Sequence, residues 1–259
     1  MLCPEVRERV FFLRTPGAKF FRPALSHASG FTLVELALVL LVLTLLLGSL
    51  FGPLAIQVDQ SRISESQKAL DEIKEAVIGY ALANKHLPCP DKTGAGGAGT
   101  ENDGIEDFEA TGLCTVPEGN LPWVTLGMPA TDSWGNHYHY SASGAFSARA
   151  PTVTFTLSSA GTLRICPTAG CAASAALAEG MAAVVLSYGK NGFGAVSSGG
   201  TLNPAPASAD ELENTNGDII FVSRTLSTPD TPAGEFDDIL VWISPNVLFN
   251  RMVAAGKLP

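Results

Sequence analysis

The most regular pattern in the chain is one long apolar run. Residues 31–51 are twenty-one in number, and Glu35 is the only one of them that carries a charge. At 1.5 Å of rise per residue, a helix of this length spans roughly 31 Å, the thickness of a bilayer's hydrocarbon core. A carboxylate inside such a segment is costly and usually functional. The pattern predicts an apolar transmembrane helix over residues 31–58.

The pattern becomes amphipathic after residue 58. Over residues 59–86 the apolar positions recur at helical spacing and share one face, which contains Ile63, Leu70, Ile73, Val77 and Tyr80. Pro88 and Pro90 then prevent the helix from continuing. We therefore expect one long helix whose second half packs under a globular head, residues 87–259.

The head has the short apolar runs of β-strands. We predict strands at residues 137–140, 152–157, 163–165, 181–186, 219–222 and 239–243, with a long loop over residues 187–217. The last strand is apolar throughout and is expected to be central. Ser244 and Pro245 begin a C-terminal helix, whose buried face is predicted to contain Val247, Leu248, Met252 and Val253. The predicted fold class is α+β, with the long helix on a mainly antiparallel sheet that has long loops.

Charge is distributed unevenly along the chain. Residues 1–30 carry five basic and two acidic side chains, a net charge of +3, whereas the remainder carries eleven basic and twenty-three acidic ones, a net charge of −12. This asymmetry predicts a cytoplasmic N-terminus and an external head. A head so acidic, with no basic cluster in its sequence, argues against nucleic-acid binding as its main role.

The residues that open the apolar run form a motif, Gly30-Phe31-Thr32-Leu33-Val34-Glu35. With the apolar run that follows, it resembles the prepilin signature of type IV pilins and type II secretion pseudopilins. The resemblance implies that residues 1–30 are a leader, which a prepilin peptidase removes by cutting between Gly30 and Phe31. It also implies that the same enzyme N-methylates Phe31, and that Glu35 sets the assembly register by pairing with a neighbour's new N-terminal amine. Opposite charges attract strongly in a low-dielectric setting.

Two alternatives apply to this segment. Glu35 could instead extend to the lipid headgroups from the end of the helix. Residues 1–55 could be an ordinary secretory signal cut after Ala55, although the apolar core is long for that and Pro53 stands where a small residue is wanted.

The resemblance implies a structural function. The expected protein is a minor pilin or pseudopilin of a type IV pilus-like filament, single-pass in the inner membrane with a periplasmic head. Its partners would be the prepilin peptidase/N-methyltransferase and other pilin subunits. The turn Asp132-Ser133-Trp134-Gly135 resembles pseudopilin heads and favours type II secretion. The alternatives are a minor pilin of a surface type IV pilus and a membrane-anchored periplasmic enzyme or binding domain.

Five cysteines are present, and removal of the leader would take Cys3 and leave four in an oxidising compartment. Four cysteines allow three pairings. The sequence-local one is preferred: Cys89 with Cys114, and Cys166 with Cys171. A zinc site built from all four thiolates is the alternative, but the spacing of Cys166 and Cys171 is not that of a CxxC pair.

Other candidate chemistry is weak. The sequence contains no Gly-x-Ser-x-Gly nucleophile elbow, no phosphate loop and no His-Glu-x-x-His zinc-protease motif. The protein is therefore not expected to be an enzyme. His137 and His139 have the spacing of a two-histidine metal pair, but an exposed strand is the preferred interpretation. The acidic stretch 101–107 does not fit an EF-hand and is expected to be a solvated loop. Some pseudopilins bind calcium in a C-terminal acidic loop, but their ligands cannot be matched to Asp230, Glu235, Asp237 and Asp238. No cofactor is predicted.

Overall fold

The computed structural model of the protein describes residues 30–152 and 154–258. The predicted leader therefore lies outside the described residues, except for Gly30. The chain divides into two compact units, Met1–Gly52 and Pro53–Pro259. Helix α1 covers Leu33–Asn84, so its first part belongs to the first unit and the rest to the second.

Thr32 begins helix α1. Its hydroxyl accepts a hydrogen bond from the backbone N–H of Glu35 at 3.2 Å, and its carbonyl accepts one from the N–H of Leu36 at 3.1 Å. A threonine in this position satisfies N–H groups that the first turn leaves unpaired. Among the helices of the described residues, none combines the length and hydropathy that a membrane crossing requires.

The second unit forms the head, which contains short strands and short helices. In chain order these are β1 (Glu118–Asn120), α2 (Trp123–Leu126), β2 (His139–Ala142), α3 (Gly144–Ser147), β3 (Leu163–Cys166), a 3₁₀ turn (Ala173–Ala175), β4 (Ala178–Met181), β5 (Ala183–Ser187), α4 (Ala209–Glu213), β6 (Ile220–Val222), β7 (Ile239–Ile243) and α5 (Pro245–Ala254).

The strands form two sheets. The larger has the order β1-β2-β5-β7 and is antiparallel throughout. The smaller has the order β4-β3-β6, in which β3 and β4 are antiparallel and β3 and β6 are parallel. The α+β class and the mainly antiparallel sheet are therefore confirmed.

The core lies where the second half of α1 meets the larger sheet. Leu70, Ile73 and Val77 are completely buried, and they belong to one apolar cluster with Tyr138 and Tyr140 of the β2 region. Such a cluster is what the amphipathic pattern predicts. Helix α1 ends at Asn84, where Lys85 adopts a left-handed conformation at φ +65°, just before the two prolines.

Strand β7 lies at the edge of the larger sheet, so the prediction that it is central was wrong. Its apolar composition has another cause, because both of its faces are covered. Ile239 and Ile243 join the cluster that includes α1, whereas Leu240 packs in a second cluster with β3 and β6. An edge strand that is covered on both faces buries the side chains of both, so its sequence is apolar throughout.

The predicted strand at residues 152–157 is not present among the described residues of this segment. Val153 lies outside the described residues. Phe155 is buried instead as an aromatic anchor, 5.2 Å from the Phe146 ring and 6.3 Å from the Phe249 ring, while Leu157 is exposed. Strand β3 pairs with β4 and β6 rather than with this segment. In this segment Phe155 is therefore buried without strand pairing.

Two further expectations were wrong in part. The long loop at residues 187–217 contains helix α4. Helix α5 has its predicted start at Pro245 and buries Leu248 and Met252, but Val247 and Val253 are exposed. Leu248 and Met252 are four residues apart and therefore lie on one helical face, and the two valines lie outside that face.

Candidate functional site

The motif residues lie at the start of α1. Gly30 and Phe31 precede the helix, and the Phe31 side chain is 81% exposed. Glu35 lies in the first turn and is also exposed. Within the described part of the chain, no hydrogen bond or ion pair engages its carboxylate. Thr32 and Glu35 have the spacing of a capping box, but only the threonine half is formed, in which the Thr32 hydroxyl accepts the Glu35 N–H.

The segment from residue 31 to residue 47 exposes large apolar side chains all round the helix. Those exposed are Phe31, Leu33, Val34, Leu36, Leu38, Val39, Leu40, Leu41, Val42, Leu43, Leu45, Leu46 and Leu47. A helix that is apolar on every side is normally buried against protein or lipid. An apolar surface of this size marks a region of interaction.

Both predicted cysteine pairs are present as disulfides, Cys89–Cys114 and Cys166–Cys171. The first joins the segment after α1 to the loop before β1. The second closes a short loop after β3, whose backbone N–H groups at Ala169 and Gly170 donate to Asp210 and Glu213 of helix α4.

The acidic stretch 101–107 is folded onto the head, contrary to the expectation of a solvated loop. The Glu106 carboxylate accepts hydrogen bonds from the Tyr80 hydroxyl at 2.7 Å, the Cys89 N–H at 3.1 Å and the Arg149 guanidinium at 3.2 Å. Asp107 is buried and accepts the N–H of Lys92 at 2.9 Å. These carboxylates satisfy backbone donors, which explains why the stretch is acidic without being fully solvated.

Asp91 is the most unusual carboxylate of this region. It is completely buried, and its Oδ2 atom accepts the Gly104 N–H at 2.9 Å, while Oδ1 has no hydrogen-bond partner in the described residues. Burial, reinforced by the nearby Asp103 and Asp107, raises the pKa of Asp91 to about 7.

The turn at residues 132–135 lies between α2 and β2 and contacts the end of β5. Asp132 Oδ1 accepts the N–H groups of Trp134 and Asn136, both at 3.0 Å, and Gly135 has φ +87°. Asp132 Oδ2 accepts the Ser187 hydroxyl at 2.6 Å, at the end of β5. The predicted turn is confirmed, and the hydrogen bond from the Ser187 hydroxyl stabilises it. Burial raises the pKa of Asp132.

The two histidines are buried, so the expectation of an exposed strand was wrong. His137 stacks on Trp123 with ring centroids 4.5 Å apart, and its Nδ1 lies 2.9 Å from the Ala130 carbonyl oxygen. His139 Nε2 lies 3.5 Å from Glu118 Oε2, on the neighbouring strand β1. The two rings therefore have different surroundings and do not form a shared pair of ligands.

Three carboxylates converge beside β7. One oxygen each from Glu211, Asp237 and Asp238 lies within 4.8 Å of the others, whereas Asp230 and Glu235 do not belong to this group. Asp237 and Asp238 come from the predicted acidic segment, and Glu211 comes from α4. Sequence reasoning missed Glu211, although Ser208 and Glu211 have the spacing of a helix N-terminus and could have revealed α4.

The cluster of Glu211, Asp237 and Asp238 is stabilised in part by hydrogen bonds from amide N–H groups. Asp238 accepts the Asn214 side-chain N–H at 2.8 Å, and Glu211 Oε1 accepts Asn191 Nδ2 and the Asp237 N–H, both at 3.1 Å. Burial raises the pKa of Asp237 to about 7 and that of Asp238 well above its usual range. Oxygen donors of this kind suit a hard cation such as Ca²⁺.

Comparison of the chain with protein-family models, with curated proteins and with solved structures finds no match. The functional conclusion therefore depends on the motif at residues 30–35 and on the geometry described above.

Proposed function

We propose that the protein is a structural subunit of a type IV pilus-like filament, a minor pilin or pseudopilin. In this proposal a prepilin peptidase removes residues 1–30 and methylates Phe31. The mature chain remains in the inner membrane with its head in the periplasm and enters the filament through residues 31–58.

The observation that carries the proposal is the combination at the start of α1. Thirteen large apolar side chains between residues 31 and 47 are exposed, and Glu35 is the one acidic group among them. Such a surface needs an apolar environment, which lipid supplies before assembly and other subunits supply afterwards.

Glu35 gives the assembly its register. A cut before Phe31 leaves a positive amine in apolar surroundings, where an unpaired charge is costly. The carboxylate of Glu35 on an adjacent copy can neutralise it, and in a low-dielectric setting this attraction is far stronger than in water. A subunit that docks out of register leaves both charges unpaired.

The head supports an extracytoplasmic location. Two disulfides are characteristic of proteins that fold in an oxidising compartment. The head also has many loops and short strands, which favours a minor subunit over the bulk one. The Asp132 turn favours a secretion pseudopilus, and a surface type IV pilus is the alternative.

The test is to replace Glu35 and follow processing and assembly separately. Glu35→Ala and Glu35→Val should be cut at Gly30 normally but should be depleted from sheared or purified filaments. Asp71→Ala is the matched control, because Asp71 is an exposed acid on the same helix, and it should assemble as the wild type does. Normal incorporation of both Glu35 variants would refute the assigned role.

A membrane-anchored periplasmic enzyme or binding domain is the competing class. It predicts that the chain keeps residues 1–30 in cells with an active peptidase and never co-purifies with filaments. Counting copies per filament tests whether the chain is a minor subunit, because a minor subunit should be far less abundant than the main pilin.

A further inference from the structure

A small polar cavity lies beside β1 and β2, and none of the residues that line it belongs to the Glu211, Asp237 and Asp238 cluster. Its volume is about 150 Å³. The polar residues that line it are Thr93, Glu118, Asn120, His139, Tyr188 and Thr215. One water occupies about 30 Å³ of liquid, so the cavity has room for a few waters or for an ion with its water ligands.

The register of the sheet brings Glu118 and His139 to the same face. His139 pairs with Asn120 across the strands, which makes Glu118 its diagonal neighbour. His139 is only 9% exposed, and its Nε2 atom is buried without a hydrogen-bond partner in the described residues. A buried polar atom left in this state is costly and calls for an explanation.

The distance between the two side chains suggests the explanation. His139 Nε2 and Glu118 Oε2 are 3.5 Å apart, which is longer than the usual range of about 2.7–3.2 Å for an N–H···O hydrogen bond. An ion held at about 2.1 Å from each atom with tetrahedral angles separates them by about 3.4 Å. The observed separation, which also lies within the range of an ion pair, matches that of two ligands of one metal ion.

Neighbouring rings hold His139 in place. The Tyr188 ring lies 5.8 Å from the His139 ring in an edge-on arrangement, and the Phe221 ring lies 6.2 Å away. This packing fixes the direction of Nε2 before any ion binds, as an effective ligand requires. Asn120 and the two threonines line the same cavity and offer further oxygens.

We propose that His139 and Glu118 form a site for a divalent transition-metal ion of the Zn²⁺ class. One imidazole nitrogen and one carboxylate oxygen come from the protein, and water or the amide oxygen of Asn120 completes the coordination. A mixed nitrogen and oxygen donor set selects this class over Ca²⁺, which prefers oxygen ligands alone.

The site is tested on the full chain in detergent, after dialysis against a chelator, with Co²⁺ as the probe. The wild type should bind one Co²⁺ per chain with visible d–d absorption, and Zn²⁺ should displace it. His139→Gln and Glu118→Gln should each weaken Co²⁺ binding at least tenfold.

Two controls separate this site from other groups. His86→Gln removes another buried histidine, whose Nδ1 lies 2.9 Å from the Leu87 carbonyl oxygen, and it should bind Co²⁺ as the wild type does. Asp237→Asn alters the carboxylate group beside β7 and should also leave the absorption unchanged.

Three results would overturn the proposal. They are a wild type that binds no Co²⁺, binding that survives in both His139→Gln and Glu118→Gln, and binding that is lost in Asp237→Asn. Glu118 is partly exposed, so Glu118→Gln still tests the site even if His139→Gln does not fold.

Discussion

The buried carboxylate of Asp91 predicts a head that loses stability as the pH rises. Its pKa is about 7 in the folded protein against an ordinary value of 3.8. Between these two values the folded chain keeps a proton that the unfolded chain has released. The stabilisation is therefore fully present below about pH 4 and is lost as the pH rises through 7. A difference of about 3 pKa units corresponds to at most about 4 kcal/mol.

The variant Asp91→Asn isolates this contribution. Its side-chain oxygen can still accept the Gly104 N–H, but it carries no charge at any pH. Relative to the wild type, the variant should have a free energy of unfolding that is higher by about 1 kcal/mol at pH 4.5 and by up to about 4 kcal/mol at pH 8. Other buried acids, such as Asp237, are present in both proteins and cancel in the comparison.

Urea unfolding followed by tryptophan fluorescence measures the effect. All three tryptophans, Trp123, Trp134 and Trp242, lie in the head, so the signal reports on the head alone. Glu101→Gln is the matched control, because Glu101 is an exposed acid of the same loop, and its curve should follow the wild type. If the difference between Asp91→Asn and wild type is the same at pH 4.5 and pH 8, the reasoning about Asp91 is wrong.

Two further predictions concern the stability of the head. Replacing Cys89 and Cys114 by serine should lower the free energy of unfolding by roughly 3.5 kcal/mol, because this bridge spans 25 residues. Replacing Cys166 and Cys171 by serine should lower it by roughly 2 kcal/mol, because that bridge spans only 5. Equal losses in urea unfolding would contradict this order. Ile73→Ala should cost about 2–5 kcal/mol, because Ile73 is completely buried, whereas Ile56→Ala, at a position 60% exposed, should change the same free energy by less than about 0.5 kcal/mol.

Sequence patterns predicted the elements that contact the core over many residues. The spacing of Leu70, Ile73 and Val77 identified the buried face of α1, because a helical face repeats often enough to be read without a structure. Strand β7 and the start of α5 at Ser244 and Pro245 were found for similar reasons. Both disulfides followed the shortest sequence separation.

The failures occurred where long-range contacts decide the outcome. Phe155 has the alternation of a strand but is buried by aromatic packing with Phe146. Glu118 meets His139 only because β1 and β2 pair in one register, and Glu211 reaches Asp237 only through the path of a long loop. No local sequence pattern specifies such long-range contacts.

In the proposed function, residues 1–30 are a leader that is removed before the subunit assembles. Mass spectrometry of the chain extracted from membranes of cells with an active prepilin peptidase tests it most directly. The expected result is a mature N-terminus of N-methylated Phe31. Retention of residues 1–30, or a chain that begins at Ile56 after a secretory cut, would contradict it.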